Sequence, residues 1–160
     1  MPSQVLSKQT SGVVAFAALL RAHAAATRQL NAQLMADHDL TISDFEVLLR
    51  LVRAPDLRMR RVDLAREVVL TASGITRLLD GLERSGLVER SSCPVDRRVV
   101  YAVLTETGLA KLRAASASHF EQVDELFGSR LDEGEIVELH GLLSRLGEDE
   151  VELPCEAAES

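Results

Sequence analysis

The chain has no tryptophan, and only 3% of its residues are aromatic. Its core must therefore be aliphatic, built from Leu, Val, Ile and Ala. No apolar run approaches the ~20 residues of a membrane helix, so no membrane partner is expected. The N-terminus lacks the basic, then apolar, then small-residue pattern of a secretory signal. Its two cysteines, Cys93 and Cys155, lie far apart and fit no redox or metal spacing. His23, His38, His119 and His140 show no metal-ligand spacing either. Gly-rich phosphate loops, nucleophile elbows and paired-carboxylate motifs are missing, which argues against an enzyme. No metal and no cofactor are expected, and a reduced, cytoplasmic protein is the simplest reading.

What is present is charge asymmetry. The net charge of −7 looks unsuited to a nucleic-acid partner until it is divided by region. Residues 58–98 hold nine Arg against six Asp or Glu, a net of +3. Residues 129–160 hold ten acids against two Arg, a net of −8. The negative charge is thus gathered at the C-terminal end, and one internal segment is basic.

At 160 residues the chain is one domain, or one domain with an extension. Residues 1–10 read as a flexible N-terminus. From Ser11 to about Ala36 the spacing of Val13, Phe16, Ala17, Leu20, Ala24, Leu30 and Leu34 predicts a long helix. It is too long to be covered by so small a monomer, so it is expected to pack along a partner. Ser43 and Glu46 suggest a capping box for the next helix, with Ile42 and Val47 as a hydrophobic staple. Phe45, Leu48, Leu49 and Val52 are its expected buried face. Ala54-Pro55-Asp56 ends it.

A short helix from Arg61 to about Val68 should bury Val62, Leu64 and Ala65. Thr71 caps a second helix to about Ser85, with Ile75, Leu78, Leu79 and Leu82 inward and Ser73, Thr76, Arg77, Asp80 and Arg84 outward. Gly86 follows as a left-handed cap. Leu87 to Arg90 starts a strand, Ser91 to Arg98 turns, and Val99 to Leu104 returns. Thr105 and Glu106 open a long helix to about Phe127, with Leu109, Leu112, Phe120, Val123 and Phe127 on its apolar side. Asp132 and Glu135 form a capping box for a last helix, with Ile136, Leu139, Leu143 and Leu146 inward. Residues 147–160 read as an acidic disordered tail, and an autoinhibitory DNA mimic is one possible use of it.

The second helix of the central pair can serve as a recognition helix. Thr71, Ser73 and Thr76 are small and hydroxylated, so the backbone can approach a groove and bond phosphate. Arg77 is long enough to reach a base edge or a phosphate. A polar helix face is by default a solvated one, but the hairpin tip tips the balance. Pro94-Val95-Asp96-Arg97-Arg98 sets a turn and two guanidiniums between apolar strands. Asp96 can fix the tip by bonding its own backbone or a neighbouring Arg. That frees an arginine for the negative potential of a narrow minor groove.

LAREVVLTASGITRLLDGLERSGLVER, then CPVDRRVVYAVLTETG, resembles the MarR family of bacterial winged-helix transcription regulators. The resemblance covers about residues 11–146. It is most specific at Leu87-Val88-Glu89-Arg90, at Asp96-Arg97-Arg98, and at Leu104-Thr105-Glu106 with Gly108. It implies a mostly α fold with a small β-wing: a winged helix-turn-helix over 41–104, with dimerisation helices over 11–40 and 105–146. About six helices and a two- or three-stranded antiparallel sheet are expected. It further implies a homodimer on double-stranded DNA bearing an inverted repeat. Arg97 would be the minor-groove arginine, supported by Asp96 and Arg98, with Thr71, Ser73, Thr76 and Arg77 on the recognition helix. A repressor released by a phenolic or amphipathic anion fits the resemblance. The effector pocket it implies lies between dimer helices and winged helix, with His23, Arg28, Phe45 and Arg53 as candidates.

Three departures stand out. Val69 occupies a turn position where the family often has Gly. The first helix carries neither the reactive cysteine of peroxide-sensing members nor the tryptophan of urate-responsive ones. Cys93 lies at the wing, where oxidation could disturb DNA binding, and Arg90 is the only nearby cation. Two alternatives therefore stand beside the ligand-released repressor: a redox regulator acting through Cys93, and a winged-helix protein-interaction module without an operator.

Overall fold

The computed structural model describes residues 11–68 and 70–147. The N-terminal segment 1–10, Val69, and the acidic segment 148–160 with Cys155 lie outside the described residues. Two compact units meet between Glu121 and Gln122.

The first unit opens with α1 (Ser11–His38) and α2 (Ile42–Arg53). Asn31 Oδ1 of α1 accepts a hydrogen bond from the Ile42 backbone at 3.0 Å, which fixes the start of α2. The cap of α2 lies two residues earlier than the sequence suggested. Thr41, in extended geometry, accepts from the Asp44 amide, and the Asp44 carboxylate accepts from the Thr41 amide. Ser43 is already inside the helix. Leu40 and Phe45 take the staple positions, and both are buried. Phe45 and Leu48 are buried as expected, Val47 and Leu51 are fully buried with them, and Leu49 and Val52 only border the core.

Ala54 ends α2 in extended geometry before Pro55. Asp56 and Leu57 then adopt positive φ values of 55° and 54°, and the chain emerges as β1 (Arg58–Arg60). A third strand was within expectation, but not its place here. At three residues it is below the usual length, and only its partner makes it a strand. The helix-turn-helix follows as α3 (Arg61–Glu67) and α4 (Ala72–Arg84). Val62 was expected in the core but is 54% exposed. Leu64, Ala65 and Val68 form the buried side of α3, and Val62 lies two residues from Leu64, about 200° around the helix.

The end of α4 is a Schellman motif. Gly86, at φ 71°, donates to the Glu83 carbonyl, and Leu87 donates to the Leu82 carbonyl. The chain leaves as β2 (Val88–Ser92) and returns as β3 (Val100–Leu104). Both neighbours of β3 are antiparallel, giving the order β1-β3-β2. Ala102 and Leu104 are the buried side of β3, as the alternation of the returning strand allowed.

α5 (Glu106–Gly128) is joined tightly to the end of the helix-turn-helix. Thr105 Oγ1 donates to the Gly86 carbonyl at 2.7 Å and accepts from the Gly108 amide at 3.0 Å. The Thr105 amide donates to the Leu87 carbonyl. A Cβ on Gly108 would stand 2.0 Å from that same Leu87 oxygen, so only glycine allows this approach. Buried on α5 are Gly108, Leu112, Ala115 and His119. Phe120 and Phe127, expected on the apolar side, are exposed.

The core of this unit is aliphatic apart from Phe45, running from Leu34 through Leu48, Leu51, Leu64, Ile75 and Leu79 to Leu104 and Ala115. On α1 only Leu30 and Leu34 are buried; Val13, Phe16 and Leu20 of its expected apolar face are exposed, Phe16 by 60%.

The second unit holds the end of α5 and α6 (Glu133–Ser144). The foreseen capping box of Asp132 and Glu135 is present. Its expected inward face is not enclosed by the single chain. No residue of α6 is buried, and Leu143 and Leu146 are exposed, Leu146 by 76%.

Candidate nucleic-acid interface

α4 begins where the sequence placed it. Thr71, extended at φ −71° and ψ 159°, accepts from the Gly74 amide at 3.0 Å. A cap of this kind is worth about 1 kcal/mol. Gly74, costly in a helix by propensity, leaves space for that cap: an added Cβ would lie 3.1 Å from Thr71 Oγ1. Ser73 Oγ lies 3.2 Å from the same hydroxyl. Thr76 Oγ1 donates to the Ala72 carbonyl, so its remaining capacity outward is as an acceptor. Thr71, Ser73 and Arg77 are exposed and Thr76 is half-buried, on the side opposite Ile75, Leu79 and Leu82.

The wing joins β2 to β3. Cys93 donates its amide to the Val99 carbonyl, and Val99 donates to the Asp96 carbonyl, both at 3.0 Å. Asp96 Oδ1 accepts from the Arg98 amide at 3.0 Å. Of the two roles open to Asp96, the structure shows the backbone one: the carboxylate closes the turn and holds neither guanidinium. Among the described residues, Arg77, Arg97 and Arg98 have no ion-pair partner. Asp96, Arg97 and Arg98 are all exposed.

One contact escaped the sequence reading. Arg90 of β2 pairs with Asp80, and its Nε lies 2.9 Å from Glu83 Oε2, both on α4. Arg90 therefore ties the base of the wing to the recognition helix. It also compensates the two acids nearest the polar face, which would otherwise repel phosphate. The signal was legible: Asp80 and Glu83 share a helix face at a spacing of three, and the chain reverses at Gly86 to bring Arg90 back past them. Engaged in this way, Arg90 is occupied by carboxylates instead of by Cys93, which is half-buried on the hairpin.

The four candidate effector residues are not united by direct contact. Phe45 is a core residue, 3% exposed, with its ring centroid 4.7 Å from His119 and 6.3 Å from Phe120. His23, Arg28 and Arg53 are exposed. His119 is buried, its Nδ1 lacks a hydrogen-bond partner, and burial lowers its pKa below the ordinary histidine value. Among the described residues no group of His, Cys, Asp or Glu is placed to hold a metal, and no helix is long and apolar enough to cross a membrane.

Residues 40–100, from the residue before the α2 cap to the start of β3, match the MarR family model. The HTH-type transcriptional regulator MhqR of Bacillus subtilis is 30% identical over 132 residues, covering 82% of this chain and 88% of that protein. The chain belongs to the MarR family. Among solved structures, this MarR-family regulator is similar to AbsC of Streptomyces coelicolor, with 31% identity and a TM-score of 0.76 over 87% of this chain and 94% of that one. Sco3205 of the same organism, solved in complex with DNA, is 25% identical with a TM-score of 0.78, covering 87% and 88% of the two chains. This family member is a DNA-binding transcriptional regulator with a winged-helix fold, and not an enzyme.

Proposed function

We propose that two copies of this regulator form a homodimer, read an inverted-repeat operator and repress transcription until a small phenolic or amphipathic anion releases them. In this reading Thr71, Ser73, Thr76 and Arg77 meet the major groove. Arg97 enters the minor groove, with Asp96 shaping the turn and Arg98 beside it. The observation that carries the DNA contact is the unpaired state of the tip arginines, beside a recognition helix whose nearest acids are already compensated by Arg90.

Support for the dimer comes from apolar surface. α1 leaves Val13, Val14, Phe16, Leu19 and Leu20 exposed. Separately, the second unit exposes Val137, Leu142, Leu143 and Leu146. Contiguous apolar faces of this kind mark interaction sites. A two-fold dimer would set the α4 helices about 34 Å apart, one turn of DNA. Release would be a population shift toward a mis-spaced pair. Phe45 would serve such a pocket from within its wall, and His23, Arg28 and Arg53 from the surface.

Two measurements test this. Sedimentation should give twice the 17.5 kDa chain mass; a monomer at micromolar concentration contradicts the dimer. Binding to a duplex from the protein's own upstream region should weaken with salt, with a slope of about −0.9 per phosphate contact. An affinity indifferent to salt contradicts the reading.

A further inference from the structure

A cleft of about 120 Å³ lies between the start of α3 and the returning side of the wing, lined by Arg60, Arg61, Val62, Arg98, Val99 and Val100. Three of its six walls are guanidinium side chains and none is a carboxylate. Arg60 is held by Asp63, with Nε 2.6 Å from Oδ2, and Asp63 also lies 4.0 Å from Arg66. Among the described residues, Arg61 and Arg98 have no such partner. Asp96, the nearest wing carboxylate, is engaged by the Arg98 amide. The cleft thus presents two uncompensated positive charges, from elements 37 residues apart in sequence. Val62, which is 54% exposed, completes the lining with Val99 and Val100.

We propose that Arg61 and Arg98 form a phosphate-binding cleft that takes a backbone phosphodiester of the operator duplex, joining α3 and the wing in a third DNA contact. The proposal rests on the operator reading above. Size favours a phosphate over an effector. At about 120 Å³ the cleft is well below the ~300–1,000 Å³ of a small-molecule site. Fork-shaped guanidinium donors match the oxygens of a phosphodiester. Such a contact orients the duplex without reading its sequence.

The test is the salt dependence of binding by full-length Arg61→Ala, measured by anisotropy on specific and unrelated duplexes. The slope should fall in magnitude by about 0.9 for each chain, or about 1.8 for a two-fold dimer. Affinity should drop by the same factor on both duplexes. Arg61→Lys should keep most of the slope, since it keeps the charge. The melting midpoint should not move. An unchanged slope in Arg61→Ala, with Arg97→Ala still weakening binding, overturns the cleft and leaves the operator reading intact. A wild type that shows no salt-dependent binding overturns both. A free-anion site would appear differently: inorganic phosphate would raise the wild-type midpoint more than that of Arg61→Ala, with DNA slopes equal. That result too overturns the assignment to DNA.

Discussion

At the base of the wing Arg90 is gripped by Asp80 and Glu83 of the recognition helix, whereas at the tip Arg97 and Arg98 reach solvent without a carboxylate. The base is further fixed by the joint at Gly86 and Leu87, where Thr105 and Gly108 pack α5 onto the exit of α4. Among the described residues, the tip is shaped by backbone bonds and by Asp96. One residue type serves two ends. A paired arginine spends its charge inside the molecule and fixes geometry; an unpaired one keeps its charge for a partner. The difference teaches that a count of arginines in the basic segment overstates what DNA can meet. What matters is which of them the fold leaves unpaired.

Removing the tip should produce the largest effect on binding. Arg97→Ala with Arg98→Ala should weaken duplex affinity by about 1–3 kcal/mol for each arginine that reads a base edge, with stability unchanged to within about 0.5 kcal/mol. Titration and thermal melting of the same preparation check both halves. At the base, Gly108→Ala should do the opposite. It forces a methyl against the Leu87 carbonyl and Leu104, and should cost at least the ~1–3 kcal/mol of an overpacked core, seen in a denaturant titration. Arg90→Ala lies between. Its pairs are partly exposed, so the stability loss should stay within about 1 kcal/mol. DNA affinity should also fall, because Asp80 and Glu83 are left facing the duplex uncompensated. If Arg90→Ala leaves affinity untouched, base and tip are independent.

Acid sharpens the same contrast with the smallest effect. His119 is buried with its pKa lowered by desolvation. Below about pH 6.5 the unfolded chain therefore binds a proton that the folded one refuses until its own lower pKa. Stability should hold above that pH and fall as pH drops through the window beneath it. Melting midpoints between about pH 5 and 8 should show the decline, and His119→Phe should flatten it within that window. An equal decline in His119→Phe would assign it to other groups.

Much of the helical frame was legible because capping and periodicity are local. Thr71, Gly86, Asp132 with Glu135, and the break at Pro55 each stand within a few residues of what they control. β1 was not legible, since three residues become a strand only through pairing with β3. Val62 misled because an apolar residue two positions from Leu64 falls on the opposite side of a helix. The α2 cap moved because Thr41 and Asp44 offer the same box as Ser43 and Glu46, and Asn31 of α1 selects the earlier start. The exposed faces of α1 and α6 are a different case: hydrophobic spacing marks an apolar face without saying what covers it. At the interface, Asp96, Arg97 and Arg98 could be found from the turn, but their freedom from ion pairs and the grip on Arg90 emerge only in three dimensions.

The most direct measurement compares duplex binding by Arg97→Ala with wild type across a salt series, beside their melting midpoints. The expected result is a sharp loss of affinity and a shallower salt slope at an unchanged midpoint. An unchanged affinity and slope in Arg97→Ala would contradict the claim that the unpaired tip of the wing holds DNA.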